Sequence, residues 1–521
     1  MPLASVRSRR GGLVFAGLLL FGLTLFLRST PNAFPFGDAA IIEIYTLQAV
    51  RGFLKLGPYS QFLWHHPGPI YFYSLVPFYE LSGGRAIGLA ASALTINFAS
   101  VVTTGWIAAR NSGRPVAAVL VASLVIYLWR ADGLAASVWN PHIIVLPMAT
   151  LIVAGAALAT GDRAALPVAT VVGSFLMQTH VATVPCVLML IGSALAIAAA
   201  TRHMSRNGSN RVWALASIVV AALLWFPPIV EELSVTPGNL TRLWRFFVLE
   251  QHPRQSVSAA FMVWADMTTA VARRHVDIGW GAAYTTTGSW PTEALAVVQL
   301  GGLACSVWWA WKAGQRFLAL LCLLVTASLL VAGWSVTRIH GEQVFDYQTF
   351  WISVIGALGW GALAATAVTM TPAHLAPARN RGTGLLFVLA ALVATLGVRA
   401  LGHARAYAVE QRDSDLTRKL LALDVERYIV REHVRRPLFH IARDIWPDAA
   451  CVILQVYRHH PHLAVDEQWV TMFGESLSAH GREDVDVDIA DRARHAVLSS
   501  RPGDRVISAH DQLFVHVLDR Q

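Results

Sequence analysis

The sequence predicts a polytopic membrane protein, all-α through its first 400 residues and closed by a small α/β domain. Three observations predict it. The 521 residues are 55% hydrophobic and only 14% charged, with mean hydropathy +0.49, a balance that soluble domains do not reach. Apolar runs of bilayer-spanning length recur along the chain. Basic residues gather in short loops between those runs: Arg7, Arg9 and Arg10; Arg110 and Arg114; Arg163; Arg202, Arg206 and Arg211; Lys312 and Arg316; Arg379 and Arg381. Asp162 is the one acid among them. This is the positive-inside pattern, and it assigns those loops to the cytoplasm. The net charge of +9 forms no single patch, so nucleic-acid binding is set aside.

About eleven spans follow, near 12–28, 86–109, 115–130, 142–160, 164–182, 184–201, 212–230, 294–312, 317–334, 350–370 and 383–400. An odd number leaves the N-terminus inside and everything after about 401 outside, dividing the chain into a membrane domain, 1–400, and an external domain, 401–521. The first run reads as an uncleaved anchor, because Pro31 occupies the −3 position before Ala33. The first external loop, 29–85, is expected to hold two interfacial helices, near 38–52 and 67–81. The segment 67–82 is too short to span, since its 16 residues cover only about 24 Å, and its tyrosines suit the headgroup level. Loop 231–293 is read as external. The last domain opens with a helical pattern, DLTRKLLALDVERYIVREHV, followed by β-branched runs CVILQVY, RVISAH and LFVHVLD that read as strands. Four cysteines show no disulfide or zinc spacing.

Polar residues beside the membrane carry the functional reading. Asp38, in PFGDAAIIEIY, is either a helix cap or a general base in a partly dehydrated pocket, and the two roles are compatible. Glu43, about 140° further around the helix, reads as structural, with no cation beside either acid. In WHHPGPIYFY the prolines suit a helix start. Gly68 allows close approach to a ligand, and His65 and His66 lie at a helix's positive end, where an anion is favoured. Arg338, in TRIHGEQVFDYQTFW, offers a fork of donors for phosphate oxygens or pairs with Asp346. Trp139, Asn140, His142, Gln178 and His180 mark polar points at outer helix ends, where polar groups face cavities. YRHHPH, 457–462, reads as an exposed strand-end loop. No Gly-rich phosphate loop, GxSxG, HExxH or deep intramembrane charge is present.

The acidic residue opening the first external loop and the His65-His66-Pro67-Gly68-Pro69 turn before an aromatic helix resemble the GT-C superfamily of membrane glycosyltransferases. The branch most similar holds the protein O-mannosyltransferases and lipid A aminoarabinose transferases. WNPH at 139–142, QTH at 178–180, FPPIVEELSVTPGNL at 226–240 and the Arg338 loop extend the resemblance over about 12–400. It departs where many members have Asp-Glu and this chain has Asp38-Ala39, and where a Lys-Pro-Pro-Leu turn is replaced by His66-Pro67-Gly68-Pro69. The resemblance implies a bacterial inner-membrane enzyme that moves a sugar, with inversion, from a polyprenyl-phosphate-linked donor to an envelope glycan, lipid or protein acceptor on the periplasmic face. It implies Asp38 as catalytic base, Arg338, His65 and His66 at the donor phosphate, and Tyr45, Trp139, Asn140, His142, Gln178, His180 and Tyr347 lining the substrate site. Asp38 with one histidine lacks a third metal ligand, and sister families differ, so a divalent cation stays open as a cofactor. A flippase for lipid-linked sugars and a non-catalytic envelope assembly protein are the competing classes.

Overall fold

The computed structural model describes residues 20–520 apart from 53, 202–207, 274, 275, 277, 280, 285–287, 342, 371–378 and 415. Arg7, Arg9, Arg10, Arg202 and Arg206, and the start of the first predicted span, lie outside the described residues. The protein is mostly helical. Among the described residues, eight helices are long and apolar enough to cross a membrane: Ala86–Ser112, Asn140–Ala159, Val181–Ala200, Arg211–Ser234, Trp290–Lys312, Arg316–Thr337, Ile352–Met370 and Val388–Glu410. Leu20–Ser29, Arg114–Arg130 and Ala165–Thr179 are shorter helices at three other expected spans. The chain is a multi-pass membrane protein, and it divides into two compact units.

One unit comprises Lys55–Tyr71 and Ala93–Ala400. Its centre is the Val145–Ala159 helix, every residue of which is buried. The Ala165–Thr179, Val184–Ala200 and Arg316–Thr337 helices pack around that helix. Polar side chains inside this unit satisfy one another, as buried groups must. The Tyr127 and Ser353 hydroxyls are 2.6 Å apart, those of Thr104 and Thr150 are 3.1 Å apart, and Gln299 donates to the Gly356 carbonyl at 2.7 Å. Asp162 accepts from Arg110 at 3.1 Å and Asn111 at 3.0 Å, which ties two of the basic loops together. The segment read as an external loop, 231–293, contains an apolar helix, Val257–Thr268, that packs on Trp290–Lys312, Arg316–Thr337 and Ile352–Met370.

The other unit comprises Met1–Leu54, Phe72–Ser92 and Leu401–Gln521. Its sheet has the order β2-β1-β3-β5-β4. The strands are β1 Pro437–Ile441, β2 Ala464–Val465, β3 Val485–Ala490, β4 Arg505–His510 and β5 Leu513–Asp519. β1 runs parallel to both β2 and β3, while β5 is antiparallel to β3 and β4. His440 on β1 lies between Asp466 at 2.6 Å and Asp486 at 3.0 Å. The strands expected at RVISAH and LFVHVLD are β4 and β5. CVILQVY is not a strand: it lies in the helix Trp446–His459, in which Ala449–Tyr457 are all buried. Pro447 and Asp448 supply a first-turn signal, and burial on all sides outweighs the strand preference of Val452, Ile453 and Val456. YRHHPH is corrected in its first half, because Tyr457, Arg458 and His459 close this helix, with Tyr457 buried, while 460–462 form the loop that was expected, exposed at Pro461 and His462.

Candidate functional site

Asp38 is the first residue of the helix Asp38–Arg51. The helix opens one position earlier than a cap at Asp38 would require, since Gly37, at φ 57°, caps it. A first-turn carboxylate is stabilised by the unpaired amides of the helix start. Asp38 is partly exposed, whereas Ala40–Ala49 are buried. Tyr45 packs its ring 4.8 Å from Phe72, and its hydroxyl donates to the Thr471 carbonyl at 3.2 Å. Burial, then the negative charge of Glu475, pushes the Tyr45 phenol up, so it is neutral.

Glu43 is structural, but it has the cation that the sequence did not reveal. Its carboxylate is 0% exposed and accepts from Arg458 Nε at 2.9 Å and from the Tyr79 hydroxyl at 2.9 Å. Burial works against the Arg458 charge, and Glu43 restores it, holding Arg458 above the usual arginine range. The partners stand 415 residues apart in sequence, so no local pattern could have announced them.

The histidine turn belongs to the other unit. The helix of WHHPGPIYFY starts at Ile70, which leaves Pro67 and Pro69 in the preceding turn. Gln178 shapes that turn. It accepts from Gly68 through its backbone carbonyl and from the Ile70 amide through Oε1, both at 3.4 Å, while Nε2 donates to the Leu224 carbonyl at 2.9 Å. A Cβ on Gly68 would lie 2.3 Å from Gln178 Oε1 and 2.6 Å from Pro228 Cγ. The space gained by the missing side chain is therefore filled by protein. His65 is held by Asn239, which accepts from its amide and donates to its carbonyl, each at 2.9 Å. Buried Glu231 in turn accepts from the Asn239 amide at 2.9 Å. These contacts explain why FPPIVEELSVTPGNL matters.

His66 is 6% exposed and stacks on His180 at 4.7 Å between ring centroids. The Val181 amide donates to His66 Nδ1 at 3.0 Å, which puts the neutral ring's proton on Nε2. Burial, then the charges His180 and His65 would carry, holds His66 well below the usual histidine range. Burial lowers His180 to about 4. His66 can therefore serve an anion as a neutral N–H donor, not as a cation.

Tyr347, Trp139 and His142 continue the cluster. Tyr347 lies 5.8 Å from Trp139 and 6.4 Å from His180, and Trp139 lies 5.0 Å from His142. Gln61 donates to the Tyr347 hydroxyl at 3.2 Å. Asn140 donates to the Thr179 carbonyl at 3.4 Å, and His142 bonds the Ser137 hydroxyl at 2.7 Å and the Ile278 carbonyl at 2.8 Å.

Arg338 caps the C-terminal end of Arg316–Thr337, where a cation is favoured, and lies 5.9 Å over the Trp334 ring. Asp346 accepts from the Gly281 amide at 2.9 Å and the Ala282 amide at 3.2 Å. His340 stacks on His252 at 4.4 Å. Burial, then the charges of His252, Arg338 and Arg254, lowers His340 to about 4. A chain of rings joins this loop to the histidine turn: Phe246 lies 4.7 Å from His340 and 5.6 Å from Trp64, and Trp64 lies 5.5 Å from His66. Trp64, Phe246 and His252 were not anticipated, and aromatic density in WHHP and RLWRFF was the one available signal. Among the described residues, no three His, Cys, Asp or Glu side chains gather so as to hold a metal ion.

The architecture has solved counterparts. The crystal structure of ArnT from Cupriavidus metallidurans bound to undecaprenyl phosphate matches with TM-score 0.54 at 13% identity, covering 97% of this chain and 98% of that one. The apo state of the same protein matches at TM-score 0.50 and 14% identity, covering 98% of both chains. At these identities the likeness is one of fold: the chain shares the architecture of ArnT along nearly its whole length. No family model matches the sequence, and no curated protein matches it significantly.

Proposed function

We propose that this GT-C protein is an inner-membrane glycosyltransferase that uses a polyprenyl-phosphate-linked sugar and works on the periplasmic face. The observation that carries the reading is a GT-C architecture along 97% of the chain, shared with a protein crystallised with undecaprenyl phosphate. A bilayer-dissolved donor needs a multi-pass apolar scaffold, and the eight long apolar helices provide one.

In this reading Asp38, the first residue of its helix, accepts the proton of an acceptor hydroxyl as that oxygen attacks the anomeric carbon. The bond from the anomeric carbon to the phosphate oxygen breaks, its electrons leave with the lipid phosphate, and a single displacement inverts the centre. Arg338 grips the departing phosphate with charge, and His66 donates a neutral N–H to it. His65 orients the same turn. Tyr347, Trp139 and His180 offer ring surfaces to a sugar, while Tyr45, Asn140, His142 and Gln178 support the walls. The acceptor is an envelope glycan, lipid or protein.

The test is Asp38→Asn in cells otherwise lacking the protein, with envelope glycolipids and glycans compared by mass spectrometry. The wild type should add a mass of one sugar to one envelope species, and the variant, inserted at a normal level, should lose it. Unchanged addition by Asp38→Asn would remove Asp38 as the base. No mass difference between cells with and without the wild-type protein would favour a flippase or an assembly factor.

A further inference from the structure

We infer that the C-terminal domain is part of the catalytic apparatus, positioning the Asp38 helix through a clamp whose central residue is Arg458. The inference rests on Asp38 acting as the base, and it adds a role for a domain that the proposed reaction leaves idle.

The clamp grips the helix along its whole length. At its start the Gly37 amide, one peptide before Asp38, donates to the Pro447 carbonyl at 3.0 Å. One turn in, Arg458 holds Glu43, and its other nitrogens reach Gln455 Oε1 at 2.6 Å and Asn32 Oδ1 at 3.3 Å. Tyr45 donates to the Thr471 carbonyl at 3.2 Å and Gln48 to the Phe473 carbonyl at 2.7 Å. Gly474, at φ 101°, admits Gln48 where a Cβ would sit 2.5 Å from its Oε1. At the helix end Arg51 donates to the Tyr457 and Arg458 carbonyls, each at 3.0 Å, with its guanidinium 4.5 Å over the Tyr457 ring.

Simple docking of a surface domain does not require this arrangement. Two carboxylates lie on one helix about 7.5 Å apart along its axis. One, Glu43, is buried and neutralised by Arg458, while the other opens the helix partly exposed. Buried without a cation, Glu43 would take up a proton and the charge-assisted fork would be lost, so Arg458 keeps it ionised and thereby fixes the helix that opens on Asp38. Arg458 is thus a positioning residue, and its fork ties that helix to the C-terminal domain.

The test uses the full chain in nanodiscs and follows hydrogen exchange of the amides of Asp38–Arg51 by mass spectrometry. Arg458→Met leaves Glu43 without a cation, burial drives Glu43 to take up a proton and the fork is lost, so exchange across this helix should rise at least tenfold. Transfer of sugar to the envelope acceptor should fall at least tenfold, with binding of undecaprenyl phosphate unchanged within twofold. Arg458→Lys, which keeps the charge, should recover most of the protection and of the transfer, which separates the clamp from misfolding. Exchange unmoved in Arg458→Met overturns the inference, whether or not transfer is lost. So does joint loss of undecaprenyl phosphate binding and transfer that Arg458→Lys fails to rescue. Wild-type transfer by Asp38→Asn would overturn the base assignment instead, while helix exchange still reports on the clamp.

Discussion

Gly57→Ala is the sharpest test of how the histidine turn is built. The Gly57 amide donates to the His66 carbonyl at 3.2 Å, and an added Cβ would lie 2.6 Å from both the His66 and Gly68 carbonyl oxygens and 2.9 Å from that of Gln178. Carbon–oxygen contacts normally begin near 3.3 Å, so two stretches of backbone would have to retreat by about 0.7 Å. Overpacking of this kind costs about 1–3 kcal/mol, and weakening the amide bond adds about 1 kcal/mol, for a loss near 3 kcal/mol. Gly192 is the internal control: it sits inside Val184–Ala200 with nothing within 4 Å of an added Cβ. There the same substitution should stabilise by up to about 1 kcal/mol through helix propensity. Thermal unfolding of the detergent-solubilised full chain, followed by fluorescence-detected size exclusion, should show Gly57→Ala melting several degrees below wild type and Gly192→Ala at or above it. Gly57→Ala melting with the wild type would refute the packing described for the turn.

Two pH dependences follow from half-buried His440 and buried His180. Burial alone would lower His440, but hydrogen bonds to Asp466 and Asp486 raise it to about 9. Its stabilisation, on the order of 3 kcal/mol from the 6.5 reference, is complete below about pH 6.5 and lost as pH rises through 9. Melting of wild type and His440→Gln should therefore differ at pH 6 and converge near pH 10. His180 behaves in the opposite sense. The folded chain keeps it neutral down to about 4, while an unfolded chain takes up a proton below about 6.5. Its stabilisation is present above pH 6.5 and lost as pH falls toward 4, so His180→Gln should flatten the fall in melting temperature between pH 7 and pH 5.

Hydropathy made the membrane domain legible because spanning helices must be apolar for their whole length. The Asp38 helix was legible as well: a helix near 38–52 was expected, and Asp38–Arg51 is found. The second helix was placed three residues early, since prolines that can open a helix also make a turn, and here Gln178 fixes them in one. Val257–Thr268 passed for loop because its 12 residues fall short of a span. CVILQVY was misread because a helix buried on all sides, rich in Val and Ile, has the local signature of a strand. Glu43 could be called structural from its angle on the helix, but Arg458 could not be paired with it. Long-range partners of one buried charge leave no periodic trace.

The Glu43–Arg458 pair also bears on how the protein is made. Its halves leave the ribosome 415 residues apart, a delay of roughly 20–80 s at ordinary elongation rates. Throughout that interval the Asp38 helix must wait in the membrane with an acid destined for a dry interior and nothing to neutralise it. Until Arg458 is made, burial of Glu43 favours its protonated form, and a chain lacking the last turn of Trp446–His459 would leave the Asp38 helix without this anchor.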